Sequence, residues 1–259
     1  MDDAALYNGK VVDLREKMTG IVDGLAGCSE FTGVVSIPRF SRPKDVSQVS
    51  RAETWASFLS KAKGPPPDFV RIAFHEPSII CYSSGTTGIP KAIVHSVGGL
   101  MINYFKEGRL HEELGPDGVG LQYTTTGWIM YVANAGQLLF GSRAVMYDGS
   151  PFQPDVKILI KILGEQKVTK FGINPRWMFE IAKAGLSPRE LTDLSSLQTV
   201  TSTGMVLSDQ LFEWFYDKGF PAHTHLGNIS GGTDIVRAPN IRRYEDRTDR
   251  RCRQAVSVS

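Results

Sequence analysis

Residues 168–184 read VTKFGINPRWMFEIAKA, and the fold follows from that run. Val168–Ile173 is dominated by β-branched and aromatic residues, the composition of a pleated, buried strand. Pro175 has no N–H to give to a ladder, but its fixed φ suits the first turn of a helix. A strand therefore passes directly into a helix over Arg176–Ala184. The same alternation extends to both sides. Upstream, SRAVMYDG (142–149) reads as a strand, and Val156, Leu159, Ile160 and Leu163 repeat at helical spacing behind Pro154. Downstream, LQTVTSTG (197–204) reads as a strand. Ser208 is an N-cap candidate for a helix over Asp209–Lys218, with Leu211, Phe212 and Phe215 facing inward and Gly219 closing it. PAHTHLG (221–227) supplies a last short strand. Strand–helix–strand repetition predicts an α/β fold, a mainly parallel sheet flanked by helices. Ligands of such sheets gather at the carboxyl ends of the strands.

The 259 residues suffice for a sizeable core, and the apolar (41%) and charged (22%) fractions are those of an ordinary globular chain. Three regions are expected: a partial α/β segment with a Pro-rich connector over 1–75, the core over 76–236, and an Arg-rich tail over 237–259. Val12, Leu14, Met18, Ile21, Val22 and Leu25 suggest a helix in the stretch from Tyr7, giving way to a strand in TGVVSIPRF (32–40). Residues 41–68 are polar and interrupted, and end in KGPPPDF, a connector by its prolines. The net charge of +2 is uneven: seven Arg and three acids give +4 beyond residue 236. That tail is poor in large apolar residues and is expected to be disordered, with no nucleic-acid partner. Cys28, Cys81 and Cys252 lie far apart without a CxxC, and no apolar leader or membrane-length run occurs. A cytoplasmic location without membrane attachment is expected.

One loop stands out chemically. YSSGTTGIPK (82–91) places six Ser, Thr and Gly residues in a row between a strand at Ser78–Tyr82 and a second apolar run, KAIVHS (91–96). Glycines accept φ > 0, so successive amides and hydroxyls can form an anion-binding nest, with Lys91 adding positive charge. It is neither a Walker A motif, because Ala92 follows Lys91, nor GxGxxG. Composition alone fits an ordinary solvated loop equally well. Similar Gly/Ser/Thr clusters follow strands at 201–204 and 230–234.

The order of residues in the loop is more specific. YSSGTTGIPKAIVHS resembles the phosphate-binding signature of the adenylate-forming superfamily of acyl-CoA synthetases, luciferases and adenylation domains. YTTTGWIMY (123–131), TSTGMVLS (201–208) and NISGGTDI (228–235) match that family's acyl-pocket, adenine-lining and phosphate–metal segments in order. YNGK, YTTTGW, KAIVH and SGGTDI resemble the acetoacetyl-CoA synthetase branch. The resemblance covers about residues 5–235 and implies ATP, Mg²⁺ and coenzyme A as reactants and cofactor, with a short keto acid as substrate. It implies that Ser83, Ser84, Gly85, Thr86, Thr87 and Gly88 wrap the triphosphate while Lys91 neutralises the leaving pyrophosphate. Thr233 would bind the α-phosphate beside Gly232, and Asp234 would hold Mg²⁺ where many relatives place Glu. Thr203, Gly204 and Met205 would face adenine, or form only a strand-end turn. Trp128 would wall the acyl pocket, or serve as core.

Other polar residues invite blander readings. His223 and His225 are read as alternating on one strand, a spacing compatible with metal binding, but no third ligand is in view, and His95 follows a strand; all three are read as structural. Asp155 and Lys157 are read as a solvated helix start. The family match stops after Ile235. The early sheet, a ribose-binding Asp, an Arg-bearing hinge and the C-terminal domain's adenylation Lys of longer relatives have no counterpart here. The chain is therefore expected to be an incomplete ligase core, weakly active or inactive, or else a non-catalytic ATP/AMP-binding remnant.

Overall fold

The computed structural model describes residues 1–7, 9–65, 68–83, 88–229 and 231–235. The chain divides after Val70 into two compact units. The first opens with a hairpin, β1 (Ala4–Tyr7) and β2 (Lys10–Asp13), followed by helix α1 (Arg15–Gly24). Val12 therefore lies in a strand, and the helix begins later than its apolar spacing suggested. The cause is local: the backbone N–H and guanidinium of Arg15 bond the Asp13 carboxylate, stopping the strand two residues before the helix. That pairing holds Asp13 at about 2, well below its ordinary value. Strands β3 (Val34–Ser36) and β4 (Ala52–Thr54) pair in parallel, and helix α2 (Trp55–Ser60) follows with Thr54 as its N-cap. The polar stretch after residue 41 thus contains two elements that its composition hid. Met18, Val22, Val34, Val46 and Val49 form this unit's small core.

The second unit begins with an antiparallel hairpin, β5 (Pro77–Ser83) and β6 (Lys91–Ser96). The strand expected at Ser78–Tyr82 is present as one arm of this hairpin, and it is not a buried one. Ile80 and Tyr82 are 55% and 65% exposed, and the hairpin forms its own two-stranded sheet. Helix α3 (Val97–Phe105), capped by Ser96, continues into a π-helical turn over Lys106–His111. Then come β7 (Val119–Gln122), α4 (Ile129–Ala135), β8 (Arg143–Val145) and α5 (Ile158–Glu165). They are followed by β9 (Lys170–Ile173), α6 (Pro175–Lys183) and the short α7 (Pro188–Leu191). The unit ends with β10 (Thr199–Ser202), α8 (Asp209–Trp214), β11 (His225–Asn228) and a 3-10 turn over Thr233–Ile235.

Five strands form one parallel sheet in the order β11-β10-β9-β7-β8. The α/β fold expected from the sequence is the one observed. Because strand side chains alternate, register separates two faces. Leu121, Phe171, Val200 and Leu226 share a row and pack with Leu159, Leu163, Trp177, Met178, Ile181 and Phe215 from the helices. Phe171 and Trp177 meet edge to face at 5.4 Å. The rows on either side, Gly120–Lys170–Thr199–His225 and Gln122–Gly172–Thr201–Gly227, place glycine and polar residues on the opposite face.

The turn from β9 to α6 is set by Asn174, whose side chain accepts the Trp177 backbone N–H at 3.0 Å ahead of Pro175. Asn174→Ala is expected to lower stability by about 1 kcal/mol, the usual cost of losing an N-cap. A chemical-denaturation midpoint matching that of the parent would show that the cap contributes nothing.

Candidate functional site

Parallel strands deliver their carboxyl ends to one edge, and the candidate segments after β7, β10 and β11 emerge there. Ser202 ends β10 opposite Asn228 of β11, so residues 203–205 and Ile229 leave from neighbouring strands. The Thr203 N–H still bonds the Ile173 carbonyl of β9 (3.3 Å), and the Ile229 N–H bonds the Ser202 carbonyl (2.7 Å). Gly204 then turns the chain with φ +90°, a conformation that side chains strain to adopt.

Trp128 comes from β7, two strands away, at the entrance to α4. Its six-membered ring lies about 3.6 Å from where a Cβ on Gly204 would sit. The segment after β7 and the turn after β10 therefore meet across the end of β9. Trp128 is 59% exposed, which settles its environment: it lies at the surface of the sheet edge and outside the core. Met205 beside it is also largely exposed. At the start of the same segment, Tyr123 donates to the Gly149 carbonyl (3.1 Å), and Tyr147 donates to the Ser150 carbonyl (3.0 Å). Burial raises the pKa of both phenols, so each remains a protonated hydrogen-bond donor.

The remaining residues belong to the hairpin and the terminal turn. Ser83 pairs directly with Lys91 at the open end of β5–β6, so both flank the Ser/Gly loop. Lys91 is exposed, and Gly88 has φ +81°. Ser84, Gly85, Thr86 and Thr87 lie outside the described residues. The turn Thr233–Ile235 packs beside β5, and Asn103 of α3 donates to the Ile235 carbonyl at 3.2 Å. Asp234 is exposed, with Gly232 directly before the turn. The hairpin and the terminal turn are thus neighbours, as are Trp128 and Gly204.

The histidines fall elsewhere. His223 is exposed in the turn before β11, so it does not alternate with His225 along a strand as its spacing suggested. His95 is buried in β6. Asp155 accepts the Lys157 N–H at 3.0 Å on the surface. Among the described residues, no group of three His, Cys, Asp or Glu side chains is placed to hold a metal ion. Asp234 would be a single protein ligand, a hard carboxylate oxygen of the kind Mg²⁺ accepts when phosphate oxygens complete its shell. Sequence reading missed Asn103 and the buried carboxamides of Gln122, Asn134 and Gln137. An asparagine and a glutamine in the otherwise apolar run IMYVANAGQLLF (129–140) were the available signal.

A parallel sheet with this loop arrangement at its carboxyl edge is the frame of an adenylate-forming domain. Residues 22–238 match the AMP-binding enzyme family, and the chain belongs to it. Acetoacetyl-CoA synthetase of Gallus gallus is 37% identical over 239 residues, which take in 90% of this chain and 35% of that protein. Acetoacetyl-coenzyme A synthetase of Rhizobium meliloti is 37% identical over 235 residues, again 90% and 35%. The solved structure of acetoacetyl-CoA synthetase from Streptomyces lividans superposes with a TM-score of 0.79 at 32% identity, covering 92% of this chain and 36% of that one. The chain thus spans about a third of the length of the relatives it matches. No helix among the described residues is long and apolar enough to cross a membrane.

Proposed function

We propose that this chain carries the nucleotide- and acid-binding core of an acetoacetyl-CoA synthetase-type ligase. The observation that carries the reading is the meeting of Trp128 with Gly204 at the carboxyl edge of the sheet. An acid's carboxylate oxygen attacks the α-phosphorus of ATP, and the bond to pyrophosphate breaks. The thiolate of coenzyme A then attacks the acyl carbon and expels AMP. Neither step needs a protein nucleophile, so positioning and charge stabilisation carry the catalysis.

Each residue then has a stated task. The amides and hydroxyls of residues 83–88 hold the triphosphate, and Lys91 at the hairpin mouth offsets charge on the departing pyrophosphate. Thr233 donates to the α-phosphate. Asp234 would hold Mg²⁺, which when bound spreads the phosphate charge. Thr203, Gly204 and Met205 offer a flat surface to adenine. Trp128 closes the acid side and limits it to short chains such as acetoacetate.

Titration calorimetry with Mg·ATP and with a non-hydrolysable acetoacetyl-adenylate tests this reading. Saturable binding of both is expected, weakened about tenfold or more in Lys91→Ala, because a charge-assisted phosphate contact contributes about 1.5–3 kcal/mol. Absence of binding by folded protein sinks the proposal. Pyrophosphate exchange dependent on acetoacetate distinguishes the ligase from a nucleotide-binding protein without turnover.

A further inference from the structure

Asn134 is buried in α4 where the helix meets the sheet. Its Oδ1 accepts the backbone N–H of Gln122 at 3.2 Å and Nε2 of Gln137 at 3.0 Å. Its Nδ2 donates to the Val145 carbonyl at 3.4 Å and lies 3.0 Å from Sδ of Met146. The Gln122 backbone N–H can only donate, so the orientation of this carboxamide is fixed by its partners. Gln122 ends β7 and Val145 ends β8. One side chain therefore ties α4 to the carboxyl ends of two adjacent strands.

Between those tied points runs the segment 123–128. It leaves the sheet after Gln122 and enters α4 at Ile129. Within it, the Trp128 N–H bonds the Thr125 carbonyl (3.2 Å), and the Tyr131 N–H bonds the Trp128 carbonyl (3.0 Å). The indole itself has no hydrogen bond among the described residues that would fix it over Gly204. Its place depends on where α4 begins, and that depends on the span from Gln122 to the helix. A leucine at 134 would bury apolar surface without desolvating an amide, so packing alone gives no reason for the asparagine.

We infer that Asn134 is a positioning residue, a clamp that fixes the 123–128 segment and so holds Trp128 over Gly204. Three directional bonds to strand ends and a neighbouring carboxamide leave α4 little freedom to slide along the sheet, whereas an apolar contact would tolerate it. The clamp's bearing on acid choice rests on the ligase reading above, but its mechanical role does not. Among the groups bonded to Asn134 none is ionisable, so the clamp is expected to be insensitive to pH.

Fluorine NMR of the full chain labelled with 5-fluorotryptophan tests it. Trp128→Phe assigns the Trp128 line, while Trp177 and Trp214 report the fold of the same unit. Asn134→Leu is expected to move or broaden the Trp128 line by more than its own width, leaving the Trp177 line in place. In Asn134→Asp burial favours the protonated carboxyl, which can still accept from Gln122 and Gln137 and whose O–H can donate to the Val145 carbonyl in place of Nδ2, so the Trp128 line is expected near its parent position. Where Asn134→Leu collapses all lines, Gln137→Met replaces it, with a smaller displacement of the Trp128 line expected. An unmoved Trp128 line in the folded variant overturns the inference, as does an equal disturbance in Asn134→Asp. Calorimetry with the acetoacetyl-adenylate analogue adds the functional arm: severalfold weaker binding in Asn134→Leu than in Asn134→Asp. If the parent fails to bind, the ligase reading falls and the NMR outcome still decides the clamp.

Discussion

Lys170→Met is expected to destabilise the second unit by about 3–5 kcal/mol, the cost of leaving buried carboxylates without their cation. Lys170 begins β9 on the polar face of the sheet, and its amine bonds Glu112 just beyond the π-helical turn. Both side chains are buried, as is Glu107, which lies 2.9 Å from Lys106. Methionine fills the space of the lysine stem but cannot answer the Glu112 charge. The double variant Lys170→Met/Glu112→Leu is expected to regain most of the loss, because the unpaired charge is removed with its partner. Urea denaturation of these variants at about pH 6, where the folded Lys170 amine still holds its proton, beside Lys161→Met, an exposed lysine near Glu165, provides the measurement. A loss in Lys170→Met no larger than that in Lys161→Met would refute the ion pair's role.

The same site gives stability a pH dependence of definite sign. Burial pushes the Lys170 amine down from 10.5 to about 7, against the opposing pull of Glu107. Between those values the unfolded chain holds a proton that the folded chain has released. Stability therefore rises with pH through that window, and Lys170→Met removes the slope. The gap between parent and variant is expected to widen from about pH 7 to about pH 9. A constant gap would show that the lysine stays charged throughout.

How much of this was legible beforehand depended on whether a feature is local. The β9–α6 passage was readable because Pro175 and the run of β-branched and aromatic residues act within a few positions, and the structure keeps both elements where they were expected. Ser208 likewise caps α8 through a bond to the Leu211 N–H. β7 was missed because GVGLQ offers two glycines and only one β-favouring side chain, Val119. It is a strand because neighbours on both sides complete its ladder. The hairpin's exposure was hidden for the opposite reason: the apolar run SIICY (78–82) suggests burial, yet burial depends on what packs against a strand. Of the candidate site, the loop was singled out by the order of its residues and Trp128 by its neighbours in sequence, both through a resemblance. The Asn134 network was not, since its partners lie 12 and 3 residues away on different elements.

Gly120→Ala is expected to cost about 2–4 kcal/mol, from overpacking together with a broken buried hydrogen bond. In sequence Gly120 looks like a weak point in an otherwise apolar run. In the fold the Gln137 carboxamide lies across it, and an added Cβ would stand 1.4 Å from Oε1 and within 2.2 Å of Nε2. A flexible surface glutamine would swing aside at little cost. Gln137 is 1% exposed and its amide is committed to Asn134 at 3.0 Å, so moving it breaks that bond and leaves both groups buried without each other. Nor can the backbone retreat, because β7 is hydrogen-bonded to β8 on one side and β9 on the other. The clash should therefore be relieved from the side-chain end. Gly120→Ala/Gln137→Ala is expected to be more stable than the two single losses added together, with a coupling of about 1–2 kcal/mol in a double-mutant cycle. Additive losses in urea denaturation would mean that the new methyl is resisted by the strand itself. Gln137 would then lie over Gly120 without depending on the space it leaves.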